Sequence, residues 1–187
     1  MTTKYQCKVN SNTGNLLTCE FRVAGPFTFH TPKADDRGVL KYGLRALFPV
    51  DADLSVLKRM VEDKAIDKFG QSYKTQGLRL PFRDQGEKGY EGYTPGAVFV
   101  NLTAWEKPGL VDADGGPIVD ERDFYAGCWA RASLQAYPYT ATGNKGVGLK
   151  MVNVQKLWDD EPLSGEATPE ADFEPVAQAK GVDDLLS

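Results

Sequence analysis

Strict alternation of side-chain character along residues 128–139 constrains the fold of this chain more than any other feature. One set of alternate positions is small or apolar: Cys128, Ala130, Ala132, Leu134 and Ala136. The other set is mostly large or polar: Trp129, Arg131, Ser133, Gln135, Tyr137 and Tyr139. Successive side chains point to opposite faces in a β-strand. The pattern therefore predicts a strand with one small, apolar face and one aromatic, basic face.

Shorter runs of strand-forming residues, separated by turn residues, fill most of the chain between residues 19 and 158. They lie at residues 19–24, 40–48, 78–83, 98–103 and 147–154, and residues 140–146 are expected to form a hairpin loop. Residues 52–69 differ, because Leu54, Leu57, Val61, Ala65 and Phe69 recur at helical spacing. Many short strands with one inserted helix predict a mainly β fold, either a small barrel or a sandwich.

The net charge changes sign along the chain. Residues 1–158 carry 21 basic and 17 acidic side chains, a balance of +4, whereas residues 159–187 carry nine carboxylates and one lysine, a balance of −8. The second segment also contains several prolines and few large apolar groups, a composition typical of disorder. We therefore expect one domain over residues 1–158 and a disordered acidic tail over residues 159–187, so the total charge of −4 conceals a basic body.

Histidine and closely spaced cysteines, which many catalytic and zinc sites require, are scarce in this chain. His30 is the single histidine, and Cys7, Cys19 and Cys128 show no paired metal-ligand spacing. The unpatterned thiols suit a reducing compartment, and neither a secretion signal nor an apolar run of membrane-spanning length is present. We therefore predict a cytoplasmic protein without an enzymatic activity, a metal or a cofactor.

Interleaved aromatic and basic side chains form the candidate binding site. Aromatic rings stack on unpaired bases and cationic groups bind phosphates, so this composition is what a single-strand binder needs. The residues expected to meet phosphates are Arg83, Lys107, Arg131 and Lys145. The residues expected to stack on bases are Trp105, Trp129, Tyr137 and Tyr139, with Tyr90 as a further candidate. The alternative is that the aromatic face is an oligomer interface of a structural or assembly protein, and whether Trp129 faces DNA or another subunit stays open.

Several short stretches resemble a known family in their order and spacing. They are Glu20-Phe21-Arg22, Leu80-Pro81-Phe82-Arg83-Asp84, Gly89-Tyr90-Glu91-Gly92, Lys107-Pro108-Gly109-Leu110-Val111-Asp112, Phe124-Tyr125-Ala126-Gly127-Cys128-Trp129-Ala130-Arg131-Ala132, Gly143-Asn144-Lys145-Gly146, Val154-Gln155-Lys156-Leu157 and Glu161-Pro162-Leu163. Over residues 18–165 the chain resembles phage-encoded single-stranded DNA-binding proteins, long catalogued as a domain of unknown function.

The resemblance implies an OB-fold barrel that binds single-stranded DNA without strong sequence preference and serves phage DNA replication or recombination in the host cytoplasm. It also implies that the acidic tail docks replication or recombination proteins and competes with DNA for the basic groove. The docking residues would be Asp183, Asp184, Leu185 and Leu186. Such tails often end in an aromatic residue, and this chain departs from that pattern in ending with Ser187. A homodimer that uses the aromatic face of residues 129–139 is a further expectation.

Overall fold

The computed structural model describes residues 4–141, 143–164 and 169–176, and ten strands and one long helix lie within them. The strands are β1 (Lys8–Val9), β2 (Leu16–Leu17), β3 (Phe21–Ala24), β4 (Lys33–Ala34), β5 (Leu40–Leu47), β6 (Arg83–Asp84), β7 (Val98–Ala104), β8 (Gly109–Val111), β9 (Trp129–Ala141) and β10 (Asn144–Trp158). The helix α1 (Ser55–Phe69) lies between β5 and β6, and a single helical turn, α2 (Pro169–Asp172), follows β10. The expected helix is therefore present and begins three residues later than predicted.

Five of the strands close into a barrel. Around the ring β3 pairs with β5, β5 with β7, β7 with β10, β10 with β9, and β9 again with β3. The β7–β10 pair is parallel and the other four pairs are antiparallel. A five-stranded barrel with this connectivity is the OB fold, so the predicted OB-like barrel with one inserted helix is confirmed.

The barrel interior is built from the alternation that the sequence shows. Along β9 and the residue before it, Cys128, Ala130, Ala132 and Leu134 are at most 2% exposed, as predicted. Small side chains on this strand leave room for the large rings of the interior and for α1, which buries Leu57, Val61 and Ala65 against the same core. Complete burial of one aliphatic side chain stabilises the fold by about 1.5–3 kcal/mol.

The β9–β10 hairpin is much longer than the barrel needs. Its two strands pair from Ala141 and Asn144 at the turn to Trp129 and Trp158 at the open end. The hairpin predicted over residues 140–146 is present, but its loop is shorter than predicted, because both strands continue to the turn at Gly143, which adopts a positive φ of 76°. Thirteen residues of strand extend roughly 40 Å, so the two ends of β9 reach different surfaces.

The first residues after β10 pack on the barrel, past the boundary that the sequence predicted at residue 158. Leu163 is only 9% exposed, and its N–H donates to the carbonyl of Ala126 at 2.9 Å. The guanidinium of Arg22 donates to the carbonyls of Glu161 and Gly127 at 2.8 and 3.0 Å. We call residues 159–164 the tail root. Residues 165–168 and 177–187, with the predicted docking residues Asp183, Asp184, Leu185 and Leu186, lie outside the described residues.

Among the described residues, no helix combines the length and the apolar character that crossing a membrane requires.

The single histidine is part of an aromatic cluster. Its Nε2 lies 2.7 Å from the carbonyl oxygen of Phe124, and its ring packs against Phe27 and Phe29. Cys128 is fully buried, and this burial raises the pKa of its thiol to about 11. Both residues therefore have evident packing roles.

Candidate nucleic-acid interface

A groove of about 500 Å³ crosses the outer face of the barrel where β5, β7, β9 and β10 meet. Its floor and walls include Lys41 of β5, Asn101 and Thr103 of β7, Trp105 just after β7, Tyr137 and Tyr139 of β9, and Gly148 of β10. Arg79, Arg83 and Arg37 from the surrounding connections complete its rim. We call this depression the aromatic groove.

Three rings form a continuous row in the aromatic groove. The ring centroids of Trp105 and Tyr137 are 5.1 Å apart with a 74° interplanar angle, and those of Tyr137 and Tyr139 are 6.3 Å apart at 48°. The hydroxyl groups of Tyr137 and Thr103 lie 3.3 Å apart, within hydrogen-bonding distance. Trp105 is 40% exposed although it is one of the largest side chains in the protein. The row is therefore held in place by its own contacts while part of it stays open to solvent.

Two glycines of β10 make room for these rings. Gly146 and Gly148 occupy outward positions that alternate with the buried Val147 and Leu149. A Cβ atom at Gly148 would overlap the ring of Tyr137, its partner across the strand pair. A Cβ atom at Gly146 would overlap the carbonyl of Arg79, whose oxygen accepts from the N–H of Val147 at 3.0 Å. The bare backbone of β10 thus lets the tyrosine ring and residues 79–80 lie directly on the sheet.

Three of the four cations around the groove form weak, exchangeable ion pairs. Lys41 Nζ lies 3.2 Å from the carboxylate of Asp35 and 5.8 Å from the centroid of the Trp105 ring. Arg37 lies 3.5 Å from the same carboxylate, and Arg83 Nε donates to Glu87 at 2.9 Å. Surface ion pairs contribute only about 0–1 kcal/mol, so a phosphate can replace the carboxylate at small cost.

The Asp35 carboxylate is itself fixed by the backbone. The N–H groups of Val39 and Arg37 donate to its Oδ1 at 3.0 and 2.9 Å. These bonds, the one from Val39 first, lower the pKa of Asp35 to about 2, with a smaller contribution from Lys41. Asp35 therefore stays ionised and keeps Arg37 and Lys41 at the rim of the groove.

Four of the nine residues predicted to bind DNA meet in the aromatic groove: Arg83, Trp105, Tyr137 and Tyr139. The structure adds Arg37, Lys41, Arg79, Asn101 and Thr103 to them. Lys41 and Arg79 stand out in the sequence only as members of short basic pairs. The glycine alternation of β10 is the signal that could have identified this surface, because it marks an outer strand face without side chains.

Trp129 and Arg131 share the outer face of β9 with the tyrosines but lie at its other end. The Trp129 ring stacks on Trp158 with centroids 5.7 Å apart, and its Nε1 donates to the Asp160 carboxylate at 2.9 Å. The guanidinium of Arg131 lies 4.6 Å from the centroid of the Tyr5 ring. Both residues, which were predicted to bind DNA, therefore contact other side chains of this protein and lie apart from the aromatic groove.

The other predicted contacts are dispersed. Lys145 lies on the core side of β10, because it has the same parity as Val147, and its Nζ donates to Gln76 Oε1 at 3.3 Å. Lys107 is exposed in the connection between β7 and β8 and does not line the groove. Tyr90 lines a separate depression. None of these three is brought beside the row of rings.

Comparison with known proteins relates the fold to other phage proteins. The single-stranded DNA-binding protein of bacteriophage Enc34, solved in complex with single-stranded DNA, superposes with a TM-score of 0.67 at 16% identity, over 87% of this chain and 97% of that one. The single-stranded DNA-binding protein gp2.5 of bacteriophage T7 superposes with a TM-score of 0.58 at 13% identity, over 86% of this chain and 97% of that one. At such identities the likeness concerns the fold. No curated protein sequence matches the chain.

A family model describes the sequence itself. The model of the single-stranded DNA-binding protein of Enterobacter phage Enc34 matches residues 17–186, which is nearly the whole chain. This match confirms the resemblance that the short motifs indicate. The chain belongs to the Enc34 single-stranded DNA-binding protein family.

Proposed function

We propose that this protein binds single-stranded DNA, without strong sequence preference, in the aromatic groove. The observation that carries the proposal is the row of Trp105, Tyr137 and Tyr139, surrounded by four cationic side chains on one face of an OB barrel. In OB folds the face of the second and third barrel strands, together with two neighbouring loops, binds oligonucleotides. Here these strands are β5 and β7, and the groove lies on their outer face.

Binding proceeds by electrostatic capture followed by stacking. Arg37, Lys41, Arg79 and Arg83 exchange their weak carboxylate partners or solvent for DNA phosphates, and the released counterions favour the complex. The rings then stack on unpaired bases, at about 1–3 kcal/mol per base. Every base offers a flat face to a ring, so stacking tolerates any sequence.

The biological role follows from the family. We propose that the protein protects exposed single strands during phage DNA replication or recombination in the cytoplasm of the host. It breaks and forms no covalent bond and needs no cofactor in this role. Recruitment of replication or recombination proteins by the acidic tail, and assembly as a homodimer, are further predictions.

Binding assays with labelled single-stranded and duplex oligonucleotides test the proposal. We expect preference for single strands and a steep loss of affinity between about 50 and about 200 mM salt. Four phosphate contacts predict that log K falls with log salt at a slope of about −3. Equal binding of duplex would favour a structural or assembly protein instead, and cleavage that depends on Mg²⁺ would indicate a nuclease.

Tryptophan fluorescence locates the bound strand. The protein has three tryptophans, of which Trp105 lines the groove while Trp129 and Trp158 stack on each other elsewhere. We expect oligonucleotide binding to quench the fluorescence of the native protein and of the Trp158→Phe variant. The Trp105→Phe variant should lose most of the quenching. Full quenching in Trp105→Phe would place the strand outside the aromatic groove.

A further inference from the structure

Arg45 is a buried cation without an acidic partner among the described residues. Only 9% of its surface is exposed. Its Nε donates to Asn101 Oδ1 and its Nη1 donates to the Tyr93 hydroxyl, both at 3.0 Å, so these two partners are neutral. Its guanidinium covers the ring of Phe99 at 4.7 Å from the centroid. Burial of a charge without a counter-charge is unfavourable, and arginine cannot release its proton to avoid it.

The Arg45 side chain lies between the aromatic groove and a second depression. Asn101, which accepts its Nε–H bond, lines the aromatic groove. Arg45 itself lines a neighbouring depression of about 400 Å³, whose other lining residues include Phe27, Lys88 and Tyr90. The two depressions therefore meet across one hydrogen-bonded pair of side chains.

The second depression has the same chemistry as the first. Arg45 and Lys88 supply two positive charges, and no acidic side chain is among its described lining residues. Tyr90 supplies a ring, held by an edge-to-face contact with Tyr93 at 5.5 Å between centroids. An anionic ligand with a flat group, such as a nucleotide, satisfies both features.

We propose that a bound DNA strand continues from the aromatic groove past Arg45 into the second depression. There Arg45 and Lys88 bind a phosphodiester and Tyr90 packs on a base. This inference rests on the proposed function, and it extends the binding track with a second subsite for the same class of ligand. Because Arg45 is fixed by Asn101 and Tyr93 before any ligand arrives, little side-chain entropy is lost when the phosphate binds.

The tail root forms part of the wall of this subsite. Leu163 lines the depression and belongs to a buried cluster with Leu47 and Phe99 on the same outer face. A Cβ atom at Gly92 would lie 2.9 Å from a methyl group of Leu163, so the glycine makes room for that side chain. The subsite is therefore complete only when the tail root is docked.

Oligonucleotides of increasing length test the inference, because the aromatic groove alone accommodates the short ones. OB folds occupy about 4–16 nucleotides, so a thymidine series from about three to about fifteen nucleotides covers both regimes. The variants are Lys88→Gln and Tyr90→Ala, with Lys58→Gln, an exposed lysine on α1, as the matched charge control. Tyr90→Phe keeps the ring and serves as the rescue variant.

We expect Tyr90→Ala to bind the longest oligonucleotides about tenfold more weakly than the native chain, and to bind the shortest ones equally well. Tyr90→Phe and Lys58→Gln should match the native chain at every length. Lys88→Gln should reduce the salt slope by about 0.7, and only for the long oligonucleotides. Both side chains are partly exposed, so these variants should remain folded, which urea titration checks.

The outcomes separate this inference from the proposed function. If Tyr90→Ala and Lys88→Gln bind every length as tightly as the native chain, the second subsite is refuted while groove binding stands. If the two variants lose the same factor of affinity for short and for long oligonucleotides, the second subsite is also refuted, because its contribution should depend on length. If the native chain itself binds no single strand, the proposed function fails.

Discussion

The two ends of the outer face of β9 carry similar, partly exposed side chains in different surroundings. At the turn end, Tyr137 and Tyr139 border a groove with bare glycine backbone beside them. At the end away from the turn, Trp129 stacks on Trp158 and donates a hydrogen bond to the tail root. The guanidinium of Arg131 lies over the ring of Tyr5. The residue types on a strand face therefore do not determine whether it can bind a ligand. Segments distant in sequence decide that, because they engage the side chains at one end and leave those at the other end facing a groove.

The largest expected effect comes from removal of the two tyrosine rings. Tyr137→Ala combined with Tyr139→Ala deletes two stacking surfaces, each worth about 1–3 kcal/mol. Affinity for single-stranded DNA should fall about a hundredfold or more, as measured by fluorescence anisotropy. The matched change at the other end, Trp129→Ala, should leave affinity within about twofold of the native value. A larger loss in Trp129→Ala than in the double variant would reverse the comparison.

Filling the bare backbone of β10 should give the next largest effect. In Gly148→Ala the new methyl group overlaps the Tyr137 ring, so the ring must leave the sheet and the row of rings is broken. We expect DNA affinity to fall about tenfold, equivalent to the loss of one stack. Gly143→Ala is not a suitable control, because Gly143 has a positive φ of 76°. Gly148→Ala in a Tyr137→Ala background is the appropriate comparison, because without the ring the added methyl group should cost no further affinity. Equal affinity of Gly148→Ala and the native chain would show that Tyr137 does not depend on Gly148.

Loss of the buried side chain that anchors the tail root should lower stability. Leu163→Ala removes a buried side chain that packs on Leu47 and Phe99, and its free energy of unfolding should fall by about 2 kcal/mol in urea titrations. Val176→Ala is the control, because Val176 is 90% exposed and lies beyond the tail root. If both variants are as stable as the native chain, the tail root does not stabilise the barrel.

The smallest expected effect is a pH dependence of the contact between Asp160 and Trp129. The Trp129 N–H and then the backbone N–H of Glu161 lower the pKa of Asp160 below its usual 3.8. Since the pKa is lowered in the folded state, the stabilising contribution is present above pH 3.8 and is lost as the pH falls through the lower folded value. In a Trp105→Phe background, the fluorescence of the Trp129–Trp158 pair should change at acidic pH. Asp160→Asn should abolish that transition, and an unchanged transition in this variant would assign it to another group.

Local patterns predicted the barrel well, because the alternation of residues within each strand shows which of its two faces is buried. Alternation along β9 identified the buried alanines, and helical spacing identified α1 to within three residues. The same approach made the hairpin loop of residues 140–146 too long, because glycines favour irregular structure. Pairing between Ala141 and Asn144 continues both strands to the turn, because a strand partner outweighs the low strand propensity of glycine.

Sequence patterns predicted only part of the candidate site, because they do not show which distant segments contact a strand face. Tyr137, Tyr139 and Arg83 were predicted from residue type and strand parity, and Trp105 from its place in a connection. Trp129 and Arg131 have the same parity, but Asp160 and Tyr5 engage them from distant positions in the sequence. The burial of Arg45 likewise depends on Tyr93, Phe99 and Asn101, which come from other elements. Contacts of this kind are properties of the closed barrel, and no local pattern contains them.

Photocrosslinking tests the central claim most directly. The full chain is irradiated with a thymidine oligonucleotide, and mass spectrometry identifies the residues that carry nucleotide adducts. We expect adducts at Trp105, Tyr137 and Tyr139, with a further adduct at Tyr90 for the longer oligonucleotides. Adducts at Trp129 and Trp158 with none in the aromatic groove would contradict it.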